Sequence, residues 1–316
     1  FPADYPTYVS RDQLVAYFED YARHFSIQPE FDTEVTSVRR HDDGGWELVT
    51  NRGQRIAERV VIATGVNQRP NIPHWRGQEA FRGTVTHSIG YRNPQPFLGR
   101  KTLVIGMGNT GAEIALDLAE HGVPTWISVR GPVNIVPRDL NGRPVQETGR
   151  ILARLPFGIG EWIGAQVQSL YFGDLSKYGL KRSRKPPAVQ LRETGKTPVI
   201  DIGTIRAIKE GRITVIDEVA RFTEQGVVTI TGETLEIDRV ILATGYHSCL
   251  ADLIEQMDRF LDPRGYPLSP IGTGYHAGLY FVGFDNYKLG GILGTIYNDS
   301  ETVVSAIRSN HPPVPG

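Results

Sequence analysis

The sequence predicts an α/β chain in which one complete β–α–β unit is set between the front and back portions of a second, discontinuous domain. Two repeated strand endings and one glycine-rich turn carry that prediction. VVIATG, ending at Gly65, and VILATG, ending at Gly245, match almost residue for residue. Between them lies TLVIGMGNTGAEIALDLAEHG, residues 102–122, which reads as strand, turn and helix. The expected division is therefore 1–95 and 236–316 for the flanking domain and 96–235 for the inserted one.

The elements follow in order. After a proline-broken start, Ser10 and Gln13 form a capping box for a helix running to about Phe25. EVTSVRR and GWELVT are short strands, with Asp42, Asp43 and Gly44 turning between them. RIAERVVIATG is a third strand, and its apolar run predicts a central, buried position. NQRPNIPHWRG is loop, and RNPQPFLGR is the linker at the first domain boundary. Residues 101–105 then form a strand and 112–120 a helix, which Gly122 stops. TWISVR is the second strand of the unit. Residues 131–200 show little periodicity. ITVI, VVTITG, DRVILATG and GLYFVGF read as strands, and LGGILG leads into a terminal helix ending near Asn310.

Composition narrows the class. The 316 residues carry 34 Lys and Arg against 35 Asp and Glu, so nothing draws the chain generally toward nucleic acid. The basic run KRSRKPP lies beside prolines and reads as a solvated loop. No apolar stretch reaches the roughly 18 residues of a membrane span, and no membrane partner is expected. Cys249 is the only cysteine, which rules out an internal disulfide or CxxC pair and predicts a cytoplasmic setting.

Gly106, Gly108 and Gly111 fit G-x-G-x-x-G between a strand and a helix. The first glycine permits the tight turn, the second lets a pyrophosphate approach the backbone, and the third lets helix and strand pack closely. The helix N-terminus, with Asn109 and Thr110 in its first turn, offers N–H groups and partial positive charge to phosphate. The second strand ends at Val129–Arg130 rather than at a carboxylate. An arginine there suits a ribose 2′-phosphate, so NADPH is expected over NADH.

FRGTVTHSIGY carries Phe81, Gly83, His87 and Tyr91 in the pattern F-x-G-x-x-x-H-x-x-x-Y, just before the glycine turn. This resembles the identifying motif of the flavin-containing monooxygenases; related Baeyer–Villiger enzymes usually place Trp where Tyr91 stands. The likeness spans the chain and is closest to the YUCCA-type indole-3-pyruvate monooxygenases. VPRD, YGLKR, GKTPVIDIG, ILATGY and GLYFVGF share it in order and spacing.

The resemblance implies two dinucleotide-binding, Rossmann-like domains, the NADPH domain inserted into an FAD domain. It implies that NADPH reduces FAD, and that reduced FAD and O2 give a C4a-hydroperoxyflavin. This passes one oxygen atom to a small organic substrate, the YUCCA likeness pointing to a 2-oxo acid such as indole-3-pyruvate. The family's first glycine fingerprint, which binds FAD, has no counterpart here, so the FAD domain is expected to be N-terminally truncated, without its first βαβ. The resemblance places Val35, Thr64, Gly65, Gly283, Phe284, Asp285, Gly290 and Gly291 near FAD, and Thr244 and Gly245 near NADPH. Asn67 is the one candidate for a hydrogen bond in the active site; its bland alternative is an Asx turn. The motif residues Phe81, Gly83, His87 and Tyr91 are expected to link domains. An NADPH-binding module without turnover, and an N- or S-oxygenating enzyme, remain open alternatives, and no metal ligand set is expected.

Overall fold

A computed structural model describes residues 1–140, 142–152, 154–156, 159–284 and 291–309. The chain forms two compact units: residues 1–58 with 253–255, and residues 59–252 with 256–316.

In the first unit, helix α1 (Arg11–His24) starts with the expected capping box: Ser10 Oγ accepts from Gln13 N, and Gln13 Oε1 from Ser10 N. Strands β1 (Val35–Arg40), β2 (Trp46–Thr50) and β3 (Gly53–Ala57) form an antiparallel sheet. Trp46 is fully buried in it, with the Arg40 guanidinium 5.1 Å from its ring centre.

The second unit follows with β4 (Val60–Ile62), β5 (Arg69–Pro70), β6 (Thr84–His87), β7 (Thr102–Ile105), α2 (Asn109–Glu120) and β8 (Thr125–Ser128). Residues 131–200, nearly featureless as sequence, hold β9 (Ile135–Pro137), β10 (Asp139–Leu140), β11 (Arg143–Pro144), α3 (Val145–Leu152), α4 (Ile159–Phe172), α5 (Pro187–Thr194) and β12 (Val199–Asp201). Next come α6 (Thr204–Lys209), β13 (Ile213–Ile216), β14 (Val219–Thr223), β15 (Gly226–Thr229), β16 (Thr234–Glu236) and β17 (Arg239–Leu242). The chain continues through β18 (Tyr246–His247), α7 (Leu250–Leu253), β19 (Leu279–Phe281) and α8 (Gly291–Ser309).

The centre is a five-stranded, all-parallel sheet in the order β13-β8-β7-β17-β6. Period-two alternation sends Val104, Ile127, Ile213 and Ile241 to one face, where α2 and α6 add Ala115, Leu118, Ala207 and Ile208. Leu103, Ile105, Ile216, Val240 and Leu242 point to the other face, against Phe222 and Val227 of the antiparallel β14-β15-β16 sheet. A parallel sheet covered on both faces explains the apolar runs Leu103–Ile105 and Val240–Leu242 in the inner strands β7 and β17.

Two strand expectations change. DRVILATG was expected in the flanking domain, as was the FRGTVTHSIGY segment; instead β17 is hydrogen-bonded between β7 and β6 in the central sheet. Two parallel neighbours satisfy β17 on both edges, which a strand outside the sheet would forfeit. RIAERVVIATG is broken at Glu58–Arg59 into β3 and β4, and β4 pairs with β19 alone among the described residues. Val61 is 48% exposed, so β4 is not buried on both faces as the apolar run suggested.

Candidate functional site

The glycine turn joins β7 to α2 at the carboxyl edge of the central sheet. Gly106 has φ +109°, and its N–H donates to Ser128 O at 3.1 Å. A β-carbon there would lie 2.5 Å from Ala243 O. On Gly111 it would overlap Gly106 O and sit 3.1 Å from Ala243 Cβ. Gly108 differs: its backbone is extended, at φ −92° and ψ −175°, and a β-carbon would meet nothing within 4 Å. Gly106 and Gly111 are thus required by packing, whereas Gly108 faces open space at the helix N-terminus. The first turn of α2 contains no acidic residue. This cradle fits a pyrophosphate.

Arg130 is exposed just beyond the carboxyl end of β8, beside the turn because Ile105 and Ser128 are register partners. Thr110 is also exposed. The side chain of Asn109 is engaged elsewhere: Oδ1 accepts from Ile200 N at 2.7 Å, and Nδ2 donates to Pro198 O at 3.4 Å.

Thr244 and Gly245 follow β17. Thr244 Oγ1 donates to Asn71 O at 2.5 Å, and Asn71 Nδ2 donates back to Thr244 O at 3.2 Å. Gly245 O accepts from Asn71 N at 2.9 Å. The segments after the two ATG sequences are therefore zipped together, with β5 antiparallel to β18 and Gln68 Oε1 accepting from Cys249 N at 2.6 Å. Asn71 and Gln68 were not singled out from sequence, since nothing in a proline-broken loop marks its pairing partner.

The F-x-G-x-x-x-H-x-x-x-Y residues act as a brace. Phe81 packs edge-on against Phe222, centroids 5.4 Å apart, and a β-carbon on Gly83 would overlap the Phe81 ring and Asp238 O. His87 Nδ1 accepts from Ile89 N at 3.2 Å, which leaves Nε2–H to donate to Gly245 O at 3.1 Å. Tyr91 OH donates to Asp117 Oδ2 on α2 at 2.5 Å. Burial, reinforced by that carboxylate, holds the Tyr91 hydroxyl well above the ordinary tyrosine range. Glu113, on α2, has its carboxyl raised by desolvation.

Thr64 and Gly65 leave the carboxyl end of β4, and Gly283 and Phe284 leave that of the parallel β19. Val282 N donates to Ile62 O at 3.0 Å, which brings these two pairs together. Gly65 and Gly283 both have positive φ, +75° and +84°. The buried Asp299 of α8 accepts from Gly283 N at 2.9 Å, a contact invisible in sequence. Phe284 is buried, and Gly291 begins α8. Asp285 and Gly290 lie outside the described residues. Asn67 is exposed, and Val35 begins β1 in the first unit. A cavity of about 410 Å³ lies apart from the glycine turn, lined by Arg138, Asp201, Arg206 and Lys209. Its charges are largely spoken for: Arg138 pairs with Asp139, and Lys209 Nζ donates to Phe172 O.

Residues 1–261 match the family model "FMO-like: Flavin-binding monooxygenase-like". The chain belongs to that family. Among curated relatives of this monooxygenase, probable indole-3-pyruvate monooxygenase YUCCA3 of Arabidopsis thaliana is 36% identical over 304 residues, covering 92% of this chain and 69% of that protein. Indole-3-pyruvate monooxygenase YUCCA1 of Oryza sativa subsp. japonica is 35% identical over 300 residues, 93% of this chain and 73% of that one. The flavin-containing monooxygenase from Stenotrophomonas maltophilia superposes with a TM-score of 0.69 at 20% identity, over 97% of this chain and 79% of that one. A mutant cyclohexanone monooxygenase from Rhodococcus sp. Phi1, solved bound to NADP+, gives 0.69 at 21% over 96% and 72%. These two show the fold. No described helix of the monooxygenase is long and apolar enough to cross a membrane, and no described cluster of His, Cys, Asp or Glu is arranged to hold a metal.

Proposed function

We propose that this flavin-dependent monooxygenase takes its electrons from NADPH and delivers one oxygen atom of O2 to a 2-oxo acid of the indole-3-pyruvate class. The observation that carries the NADPH half is the open face at Gly108 between two glycines locked by packing, with Arg130 at the next strand end. In this reading the helix N-terminus of α2 holds the pyrophosphate and Arg130 pairs with the 2′-phosphate. Thr64, Gly65, Gly283 and Phe284 would hold FAD at the carboxyl ends of β4 and β19, where positive-φ glycines let a flat ring approach the backbone. The bound flavin supplies the oxygen-activating chemistry; the protein binds, orients and excludes water. Thr244 and Gly245 serve the NADPH side by holding Asn71 beside the β5–β18 pair. In this reading the segments 1–95 and 236–316 belong to the FAD-type domain except for β6 and β17, which join the sheet of the NADPH domain at 96–235.

The substrate class rests on the likeness to the YUCCA indole-3-pyruvate monooxygenases at about one-third identity. The test is NADPH-dependent oxygen uptake by the flavin-loaded protein, comparing indole-3-pyruvate with a tertiary amine and a thioether. Decarboxylation of the oxo acid with matched oxygen consumption supports the reading. Turnover of only the amine or thioether replaces the substrate class, and uptake driven equally by NADH removes the role given to Arg130.

A further inference from the structure

We propose that Asn109 is a positioning residue: it couples the phosphate-binding turn to β12 instead of touching the dinucleotide. This rests on the NADPH reading above. Asn109 is the first residue of α2, directly after Gly108, where a side chain would be expected to turn toward a bound phosphate. Its amide instead spans β12, accepting from Ile200 N and donating to Pro198 O. The N–H of residue i+1 and the C=O of residue i−1 are the pair that a parallel neighbouring strand bridges. Val199 N, between them, points the other way and donates to Asn134 O at 2.8 Å. One side-chain amide therefore stands in for a third strand beside the two-stranded β9–β12 sheet.

A second stitch lies one turn further along α2, where the buried Thr204 Oγ1 donates to Ala112 O at 3.0 Å. Asp201, at the end of β12, accepts from Gly203 N at 3.3 Å and Ile205 N at 2.9 Å, which fixes the entry to α6. The β9–β12 pair closes the excursion that leaves the central sheet at Arg130 and returns at β13. Ordering the turn by binding a dinucleotide would thus order β12 through Asn109.

The experiment is amide hydrogen exchange at Ile200, without and with NADP+, alongside NADP+ titration, for the natural protein, Asn109→Ala and Asn109→Asp. In the natural protein, NADP+ should slow exchange at Ile200. Asn109→Ala should speed it about tenfold without cofactor, as expected for one lost hydrogen bond, and should abolish the NADP+-dependent slowing. Amides of Val104 and Ile127 in the central sheet report whether the variant is folded. Asn109→Asp keeps the acceptor for Ile200 N–H, so it should retain protection while weakening NADP+ by charge repulsion. The proposal is overturned if Asn109→Ala leaves Ile200 exchange unchanged, or if NADP+ protects Ile200 equally in both proteins. Absence of NADP+ binding by the natural protein defeats the NADPH reading and the coupling with it, while the exchange rates without cofactor still decide the clamp itself.

Discussion

Gly108 and Gly111 lie three residues apart in one motif, yet the structure predicts opposite consequences for the same added methyl group. On Gly111, the methyl carbon would overlap the carbonyl oxygen of Gly106 and sit 3.0 Å from its carbon. Both are backbone atoms, so relief requires helix and turn to separate. Overpacking of this kind costs about 1–3 kcal/mol, occasionally more. At roughly 2–4 °C per kcal/mol for a domain of 150–250 residues, Gly111→Ala should lower Tm by about 2–12 °C, and it should weaken NADPH because the turn itself moves. Gly108 has φ −92°, an ordinary value for alanine, and nothing within 4 Å of the new carbon. Gly108→Ala should therefore cause no strain: the lost unfolded-state freedom, about 0.4–1 kcal/mol, is offset by the poorer N-cap that alanine makes, and Tm should move by less than about 4 °C. It should still weaken NADPH by about tenfold or more, because the methyl occupies the space through which the pyrophosphate reaches the backbone. Thermal melting without cofactor and calorimetric titration with NADPH separate the two effects. Full NADPH affinity in Gly108→Ala would refute the phosphate site, and a large loss of Tm there would refute the claim that the space is open.

Arg130→Ala should weaken NADPH by about 10- to 100-fold, the worth of a charge-assisted pair, and leave NADH nearly unchanged; equal losses in paired titrations would show that Arg130 does not read the 2′-phosphate. Tyr91→Phe should destabilise by about 1.5 kcal/mol, the low end for a hydrogen bond to a charged group, because the Asp117 side chain is 39% exposed; denaturant melts measure it, and an unchanged midpoint would mean the brace is not formed. For Glu113 the sign follows from its raised carboxyl: the folded state resists ionisation, so a stability cost is present at pH above the raised value and vanishes below the ordinary carboxylate range. Glu113→Gln should then raise Tm at neutral pH, with the gain fading as the pH is lowered through that range; a pH-independent difference would contradict the assignment.

The central sheet was legible because its information is local. A parallel strand covered on both faces carries an apolar run, as Leu103–Ile105 of β7 and Val240–Leu242 of β17 do; the glycine turn must combine a tight bend with a close helix, and Gly106 and Gly111 supply both. The capping box of α1 was legible for the same reason, since Ser10 and Gln13 satisfy each other within one turn. What sequence left obscure depends on partners far along the chain. Nothing in VILATG distinguishes a strand beside β7 from one beside β19, because an apolar run records burial and not the identity of its neighbours. The 131–200 excursion was unreadable for a related reason. Its strands are two or three residues long, too short for a period of two to appear, and β12 is held in part by the Asn109 side chain.

The same distinction separates the parts of the site. The family motif residues bond mainly to other parts of the protein. His87 grips Gly245 O, Thr244 grips Asn71 O, Tyr91 grips Asp117 and Asn109 grips β12. Each of these bonds joins groups at least 26 residues apart, and together they tie the glycine-turn helix, the β17 end and both post-ATG segments to one another. What they leave facing outward at the carboxyl edge of the sheet is Gly108, Thr110 and Arg130, which make no such engagement among the described residues. A motif that persists as a unit need not consist of ligand contacts. Here most of its polar residues hold the backbone in place, and in the proposed reading that leaves a side-chain-free glycine and one arginine to meet the phosphates.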